Sequence, residues 1–330
     1  MSRTLTFPDG TPITNYSFED EHTHEPGPEE NWQESVAMWW WDPVSQCTGF
    51  MRIGHEPVLE DGNMTLWSFI RTPSWASQHM EQFPKQPGCI TPDAMIAGGG
   101  KGTYRYDGKN TYWGVDLPDA SLELKLDPLH QPIGLWPVIH AEYAKNIGAK
   151  HFELADRVEG VLTLKGERFE IKGYAYRDHS WGPRNWGNLK VHRWTNGLIG
   201  EDFGFGFSNY MVEGAEINKR GFIREGNIMH YTRQVDILPL MECDGATHRG
   251  GVVQATLTDG RTFRFDLTPT GRGFMGGKRG SSCQDTLCRV ANGTQTGFGI
   301  LEVSENPRGG TGWFKTLVNA YSENGIYPQP

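Results

Sequence analysis

The residues best suited to chemistry fall in one short stretch, Gly173–Trp186, with the sequence GYAYRDHSWGPRNW. It combines an acid, an imidazole, two guanidinium groups, two phenols and two indoles. A carboxyl group such as that of Asp178 becomes a general acid near neutral pH when burial raises its pKa, and His179 is a second group for proton transfer. Tyr176 and Arg184 could orient a substrate oxygen through hydrogen bonds. We predict that these four side chains are catalytic.

A strand is expected to present this stretch. Val158–Leu164 and Arg168–Tyr174 alternate polar and apolar residues, which predicts a hairpin that runs into the motif, and the Gly-Pro pair beyond it ends regular structure. If the strand continues through Asp178 and His179, their side chains point to opposite faces. A structural alternative for Asp178 is a salt bridge with a neighbouring arginine at the junction between the two halves of the chain.

Aromatic residues are abundant, with 12 Trp, 11 Tyr and 16 Phe. Indoles can wall a pocket that stabilises a developing carbocation, or they can form ordinary core, and Arg184 could simply stack between two of them. Two polar residues near the end of a predicted strand could line the mouth of the same cavity. The predicted substrate-binding residues are Trp39, Trp41, Trp181, Trp186, Trp194, Arg52 and His55.

The whole chain has the pattern of an all-β protein. Its 330 residues include 42 Gly and 20 Pro, which favour many short strands joined by tight turns, and no stretch keeps helical periodicity for more than a few turns. We predict an irregular N-terminal arm over residues 1–30, a first β domain over 31–186 and a second over 187–330. Each domain is large enough for an antiparallel barrel or sandwich.

Charge and composition exclude several classes of function. The net charge of −9, with no basic run, argues against nucleic acid as a partner. No integral membrane segment is expected, because no run of 18 apolar residues occurs, and without a signal-peptide core a cytoplasmic location is expected. His22 and His24 lie among carboxylates, but no third ligand is evident, so a solvated arm is favoured over a metal site.

Three segments resemble the carotenoid 1,2-hydratase and AttH-like superfamily. They are RDHSWGPR at 177–184, the pattern from Glu34 through the Trp run at 39–41 to Gly54, and GFGILE at 297–302. The resemblance implies two lipocalin-like β-barrels in tandem and a cofactor-free pocket for a lipophilic molecule. Characterised members hydrate a carbon–carbon double bond or guide pericyclic ring closures. By motif match, Asp178 is the counterpart of the acid thought to protonate the alkene in the hydratases.

The predicted function is therefore that of a cofactor-independent lyase or isomerase. It would act on a hydrophobic or aromatic small molecule by general acid–base chemistry, with hydration or dehydration of a double bond as the favoured subtype. The pocket is expected near the junction of the two β domains, and a homodimer is a possible assembly. One alternative is a carrier that binds a hydrophobic ligand without turnover. A second is a metal-dependent enzyme that uses the N-terminal histidines.

Overall fold

The computed structural model describes residues 4–57, 63–134, 150–212, 216–243, 247–271, 273–278, 281–305, 320–322 and 326–328. These residues form two compact units: 14–134 and 150–184 belong to the first, and 5–13 with the described residues from 185 onward belong to the second. Within the described ranges, helical structure is limited to the 3-10 turns Phe18–Glu21 and Trp186–Asn188. No helix in these ranges has both the length and the hydrophobicity needed to cross a membrane.

The first unit is one antiparallel sheet of eleven strands, in the spatial order β4-β3-β2-β1-β11-β10-β9-β8-β7-β6-β5. The sheet curls, so that β2 and β3 approach β6 across its inner side. Its strands are β1 (Trp32–Trp41), β2 (Thr48–Glu56), β3 (Asn63–Arg71), β4 (Ala76–Phe83), β5 (Ile90–Thr91), β6 (Ala94–Ala97), β7 (Gly102–Tyr106), β8 (Thr111–Leu117), β9 (Ala120–Pro128), β10 (Lys150–Leu164) and β11 (Glu167–Pro183).

The second unit is also an eleven-stranded antiparallel sheet, but its strand order differs and it has one additional pairing, which closes a barrel. β17 pairs with β19, which closes β12–β17, β19 and β20 into an eight-stranded barrel. Its strands are β12 (Leu189–Leu198), β13 (Phe203–Val212), β14 (Asn218–Glu225), β15 (Ile228–Met241), β16 (His248–Leu257), β17 (Thr262–Pro269), β18 (Gly273–Lys278), β19 (Ser281–Asn292), β20 (Gln295–Glu305), β21 (Ala320–Ser322) and β22 (Ile326–Pro328). The predicted fold class, two consecutive lipocalin-like β units, is confirmed.

The predicted hairpin before the chemical stretch is present and longer than expected. β10 and β11 pair from Leu164↔Glu167 to Lys150↔Trp181 across a two-residue turn. Lys165 and Gly166 have φ values of 50° and 86°, which the right-handed twist of a tight hairpin requires at both turn positions. β11 then continues beside β1 as far as Pro183. The chemical stretch is therefore strand rather than loop.

Two strands of the first sheet are buried on both faces. β2 is buried at every position and β1 at every position except its last. β9, on the other side of β11 and β10, alternates buried and more exposed residues as a strand with one wet face does. Polar side chains on β1, β2 and β11 therefore lie in low-dielectric surroundings, where they need partners.

The N-terminal segment is irregular but not solvated. Apart from isolated bridges and one 3-10 turn, residues 4–30 have no regular structure. Leu5, Ile13, Tyr16 and Glu21 are nevertheless buried. The expectation that the histidines of this segment sit on a solvated arm was wrong, because the segment packs into the two compact units.

Candidate functional site

The two predicted acid–base residues are on opposite faces of one sheet. β11 runs without a break through Asp178 and His179, so their side chains alternate. His179 lies opposite Val36, a member of the first hydrophobic core, whereas Asp178 lies opposite Ala37 on the other face. We call the core-bearing face the inner face and its opposite the outer face. Asp178 and His179 therefore belong to two different clusters and do not act as a pair.

A row of cross-strand neighbours runs over the outer face through Asp178. Directly opposite residues on neighbouring strands have Cβ atoms about 4.5–5.5 Å apart, so each member contacts the next. Ala37 is the small member of the row and lies between Asp178 and Arg52. From β10 to β3 the row is Glu153, Asp178, Ala37, Arg52 and Trp67.

The surroundings of Asp178 favour its protonated form. Desolvation is the largest influence and raises the pKa of this carboxyl, and the negative charge of Glu153 raises it further. The positive charges of His151, Arg184 and Arg52 act in the opposite direction but do not cancel the increase. A raised pKa makes a carboxyl group better suited to general acid catalysis.

Glu153, the carboxyl group opposite Asp178, is held by hydrogen bonds. The Tyr176 hydroxyl donates to its Oε2 at 2.6 Å, and His151 Nε2 lies 3.4 Å from its Oε1. His151 Nδ1 is in turn 2.7 Å from the hydroxyl of Ser180. Two carboxyl groups with different environments thus face each other on adjacent strands. Such a difference allows one group to donate a proton while the other accepts one.

The two predicted arginines both lie on the outer face. Arg184 is buried and donates from Nη1 to the hydroxyl of Ser35 at 3.0 Å. Arg52 is buried too, donates to Thr65 at 3.1 Å, and lies over the Trp67 ring at 4.9 Å. Of the four residues predicted to be catalytic, Asp178, Tyr176 and Arg184 therefore lie on one face and His179 on the other.

On the inner face, His179 pairs with Glu34. Its Nε2 lies 2.9 Å from Glu34 Oε1, and Nδ1 of His24 lies 2.7 Å from the same oxygen. The backbone N–H of His24 also donates to Glu34. Desolvation alone would raise the pKa of Glu34. The hydrogen bonds and the charges of the two imidazoles outweigh desolvation and lower this pKa to about 2. Glu34 is consequently a fully buried carboxylate between two histidines.

His55 is the cross-strand neighbour of Glu34 on β2. The side chain is 1% exposed, and neither ring nitrogen has a hydrogen-bond partner among the described residues. Desolvation is the largest cause that lowers the pKa of His55 to about 4. His55 and His24 line a cavity of about 670 Å³ together with Pro84–Gly88 and Thr91. Arg52 is on the other face of β2, so the prediction that Arg52 and His55 line one cavity mouth was wrong: residues three apart in a strand face opposite ways.

A second ionic group on the inner face surrounds Arg177. Its guanidinium contacts Glu21 Oε2 at 2.6 Å and Asp156 Oδ2 at 2.8 Å, and all three residues are buried. The Tyr104 hydroxyl also donates to Glu21. The carboxylates raise the pKa of Arg177, so it stays charged. Arg177, the arginine next to Asp178, thus has its own partners on the inner face, which argues against a salt bridge between Asp178 and Arg177.

The predicted tryptophans do not form one wall. Trp39 is buried and Trp41 partly buried, and both share the outer face with Tyr176. Trp181 is on the inner face, where its ring stacks on His24 at 3.8 Å between centroids. Trp194 is buried in β12 of the second unit. The side chain of Trp186 lies outside the described residues.

Four residues of these clusters were not predicted as site residues: His24, Glu34, His151 and Glu153. Glu34 becomes a neighbour of His179 only through the pairing of β1 with β11, and His24 reaches both through packing of the N-terminal segment, so neither contact has a local signal. Polar and apolar residue types do alternate in His151-Phe152-Glu153-Leu154, which was a usable strand signal, but the alternation stops at Ala155-Asp156-Arg157.

Known structures share this fold. The AttH-type protein from Nitrosomonas europaea aligns with a TM-score of 0.66 at 11% identity over 91% of this chain and 96% of its own. CghA with Sch210972 aligns at 0.62 and 10% over 86% and 94%. Kievitone hydratase from Nectria haematococca aligns at 0.60 and 11% over 92% and 98%. The predicted resemblance to the AttH-like superfamily is confirmed at the level of the fold.

Curated proteins contain no match to this sequence. The sequence pattern of one family, described as a domain of unknown function (DUF7064), matches residues 17–307. This match spans both the outer and the inner cluster and most of the second unit. The chain is therefore a member of the DUF7064 family.

Proposed function

We propose that the protein is a lyase-type enzyme that adds water to, or removes it from, a carbon–carbon double bond of a lipophilic small molecule. The observation that carries the proposal is the outer row, in which Asp178 has a raised pKa and faces the hydrogen-bonded Glu153. Similar folds in kievitone hydratase and in CghA with Sch210972 support an enzyme of this broad type. The chemistry needs side chains and water, without a cofactor.

In the proposed hydration, Asp178 donates its proton to one alkene carbon and becomes a carboxylate. The carbocation formed at the other carbon is attacked by water, whose surplus proton passes to Glu153 and returns through it to Asp178. One water molecule is consumed, and the reverse sequence is dehydration. The neighbouring faces of Trp39 and Tyr176 can stabilise the cation, and Arg184 can orient an oxygen of the substrate.

The proposal is tested with lipophilic alkenes and their alcohols in ¹⁸O-labelled water, with product mass as the readout. Replacing Asp178 by Asn removes the acid and keeps the shape, so turnover should fall by about 100- to 10,000-fold. Since the acid must be protonated, hydration should also slow as the pH rises through the pKa of Asp178. The matched control is Asp127→Asn, a half-exposed acid of the same unit that pairs only with Arg157 in the ion pairs described.

Two results would contradict the proposal. Full turnover by a folded Asp178→Asn variant would remove Asp178 from the chemistry. Stoichiometric binding of an unchanged ligand, equally tight in wild type and variant, would identify a carrier instead.

A further inference from the structure

We propose that His24, Glu34 and His179 bind a divalent transition-metal ion, for which Zn²⁺ is the probe, beside the buried imidazole of His55. The site lies on the inner face of the sheet. Asp178 and Glu153 lie on the outer face, so the inference does not depend on the proposed function.

The geometry of the three ligands is the first argument. His24 Nδ1, a Glu34 carboxylate oxygen and His179 Nε2 all lie within 4.8 Å of one another. Two histidines and one carboxylate match a donor set used by zinc and non-haem iron sites. Both imidazole nitrogens already point at the same oxygen, at 2.7 and 2.9 Å. A metal would replace the two shared protons, and each neutral ring would keep its own proton on its other nitrogen.

The packing around the ligands holds them in place. The ring of His24 is stacked on Trp181 with an interplanar angle of 9°. The ring of His179 packs edge-on against Phe152 and Trp181, at centroid distances of 5.5 and 5.2 Å. The backbone N–H of His24 donates to Glu34 as well and fixes the carboxylate. Such support orients metal ligands and raises affinity.

His55 is the second, independent observation. It is a buried imidazole, and neither of its nitrogens has a hydrogen-bond partner in the described part of the chain. Burying polar atoms without partners destabilises the fold, so such a group needs an explanation. As the cross-strand neighbour of Glu34, it has its Cβ about 4.5–5.5 Å from that of Glu34. An imidazole lone pair without a hydrogen-bond donor beside a two-histidine carboxylate group is available for a metal.

An entry route to the cluster also exists. His24 is partly exposed, and with His55 it lines the cavity of about 670 Å³, whose other walls are the segments around Pro84–Gly88 and Thr91. An ion can therefore reach the cluster without unfolding of the sheet.

The experiment measures metal binding directly. The full chain is stripped with a chelator, dialysed, and titrated with ZnCl₂ by calorimetry, and Co²⁺ is added separately to record its ligand-field absorption. We expect one ion per chain in the wild type. His24→Ala and Glu34→Gln should each weaken Zn²⁺ binding by about 100-fold or more, since loss of a ligand costs at least as much as loss of its supporting contacts.

His22→Ala is the matched control. His22 lies on the same segment as His24, but it contacts Pro92 and Asp93 and touches neither the ligands nor their supporting residues. The Zn²⁺ affinity of His22→Ala should therefore stay within about twofold of the wild type. Far-ultraviolet circular dichroism confirms the fold of each variant. Absence of stoichiometric uptake by the wild type, or equal affinity of the wild type and His24→Ala, would overturn the inference and identify a purely hydrogen-bonded cluster.

Discussion

The two units share a topology, yet their inward faces differ in chemistry. The barrel of the second unit is filled by phenylalanines, with Phe205 and Phe265 stacked at 4.5 Å and Phe207 beside them. Neutral Thr195 and Gln284 share that inward face. The first unit buries ionised and ionisable groups beside its apolar core.

Those groups are Glu34, His55, Arg177, Asp156, Glu21 and His179. Burying charge is expensive even when the charge is paired, and a well-packed apolar core is often equally stable or more so. The inward face of the second barrel is mainly apolar, with neutral polar side chains among its phenylalanines. The polar interior of the first unit is thus not a requirement of the fold, which makes it the better candidate for function.

The sharpest way to break this comparison is to remove the buried guanidinium. Arg177→Met should destabilise the protein by about 3–5 kcal/mol, because Glu21 and Asp156 lose their counter-charge without access to water. Urea unfolding followed by tryptophan fluorescence measures this change.

The matched change in the second unit is Leu267→Met, a volume-conserving swap in an apolar core, which should cost no more than about 1.5 kcal/mol. Equal losses in the two variants would mean that the ionic interior is no more demanding than the aromatic one.

A second test uses pH on the second unit. His248 is buried, and both of its ring nitrogens are hydrogen-bonded. Its Nδ1 accepts from the N–H of Gly250, and its Nε2 donates to the carbonyl of Leu301. Desolvation lowers the pKa of His248 from 6.5 to about 4. Below pH 6.5, His248 therefore binds a proton in the unfolded chain but not in the folded chain. As the pH falls from 6.5 to about 4, the free energy of unfolding decreases by about 3 kcal/mol in all.

His248→Gln should flatten this dependence in urea unfolding measured across the same pH range. His79→Gln, at a partly exposed histidine of the first unit, should leave it unchanged. A variant at position 248 with the full wild-type slope would assign the acid sensitivity to other groups.

The smallest expected effect concerns Asp178. Because its folded pKa is raised, this carboxyl favours folding in acid and opposes it as the pH rises above the unfolded value of 3.8. Asp178→Asn should therefore equal or exceed the wild type in thermal stability at neutral pH and lose that advantage in acid. A stabilised but inactive variant is the sign of a functional group retained against stability. A clear loss of stability at neutral pH would indicate a structural salt bridge.

The fold was predictable because its signals are local. The alternation before the motif and the Lys-Gly turn defined the hairpin, and period-two alternation placed Asp178 and His179 on different faces. The Arg177–Arg184 segment was also one of the three segments that resemble the AttH-like superfamily, and the fold that this resemblance implied is confirmed.

The histidine cluster was not predictable for the opposite reason. His24 precedes the first strand, Glu34 is in β1 and His179 is near the end of β11, and only tertiary pairing unites them. The start of β10 was also missed. Residues 152–156 are buried on both faces of the sheet, so their sequence lacks the regular alternation that predicts a strand.

The pairing of β1 with β11 has a consequence for the folding pathway. Residues 36 and 179 meet across most of the first unit, whereas β1–β2 and β10–β11 are hairpins that form locally. Closing so long a loop is slow compared with forming a hairpin, so docking of the two hairpins is expected late. Asp178 then meets Ala37 and Arg52 at the same moment as His179 meets Glu34. The outer row and the Glu34–His179 contact therefore form in one step, and a chain arrested before that step has neither.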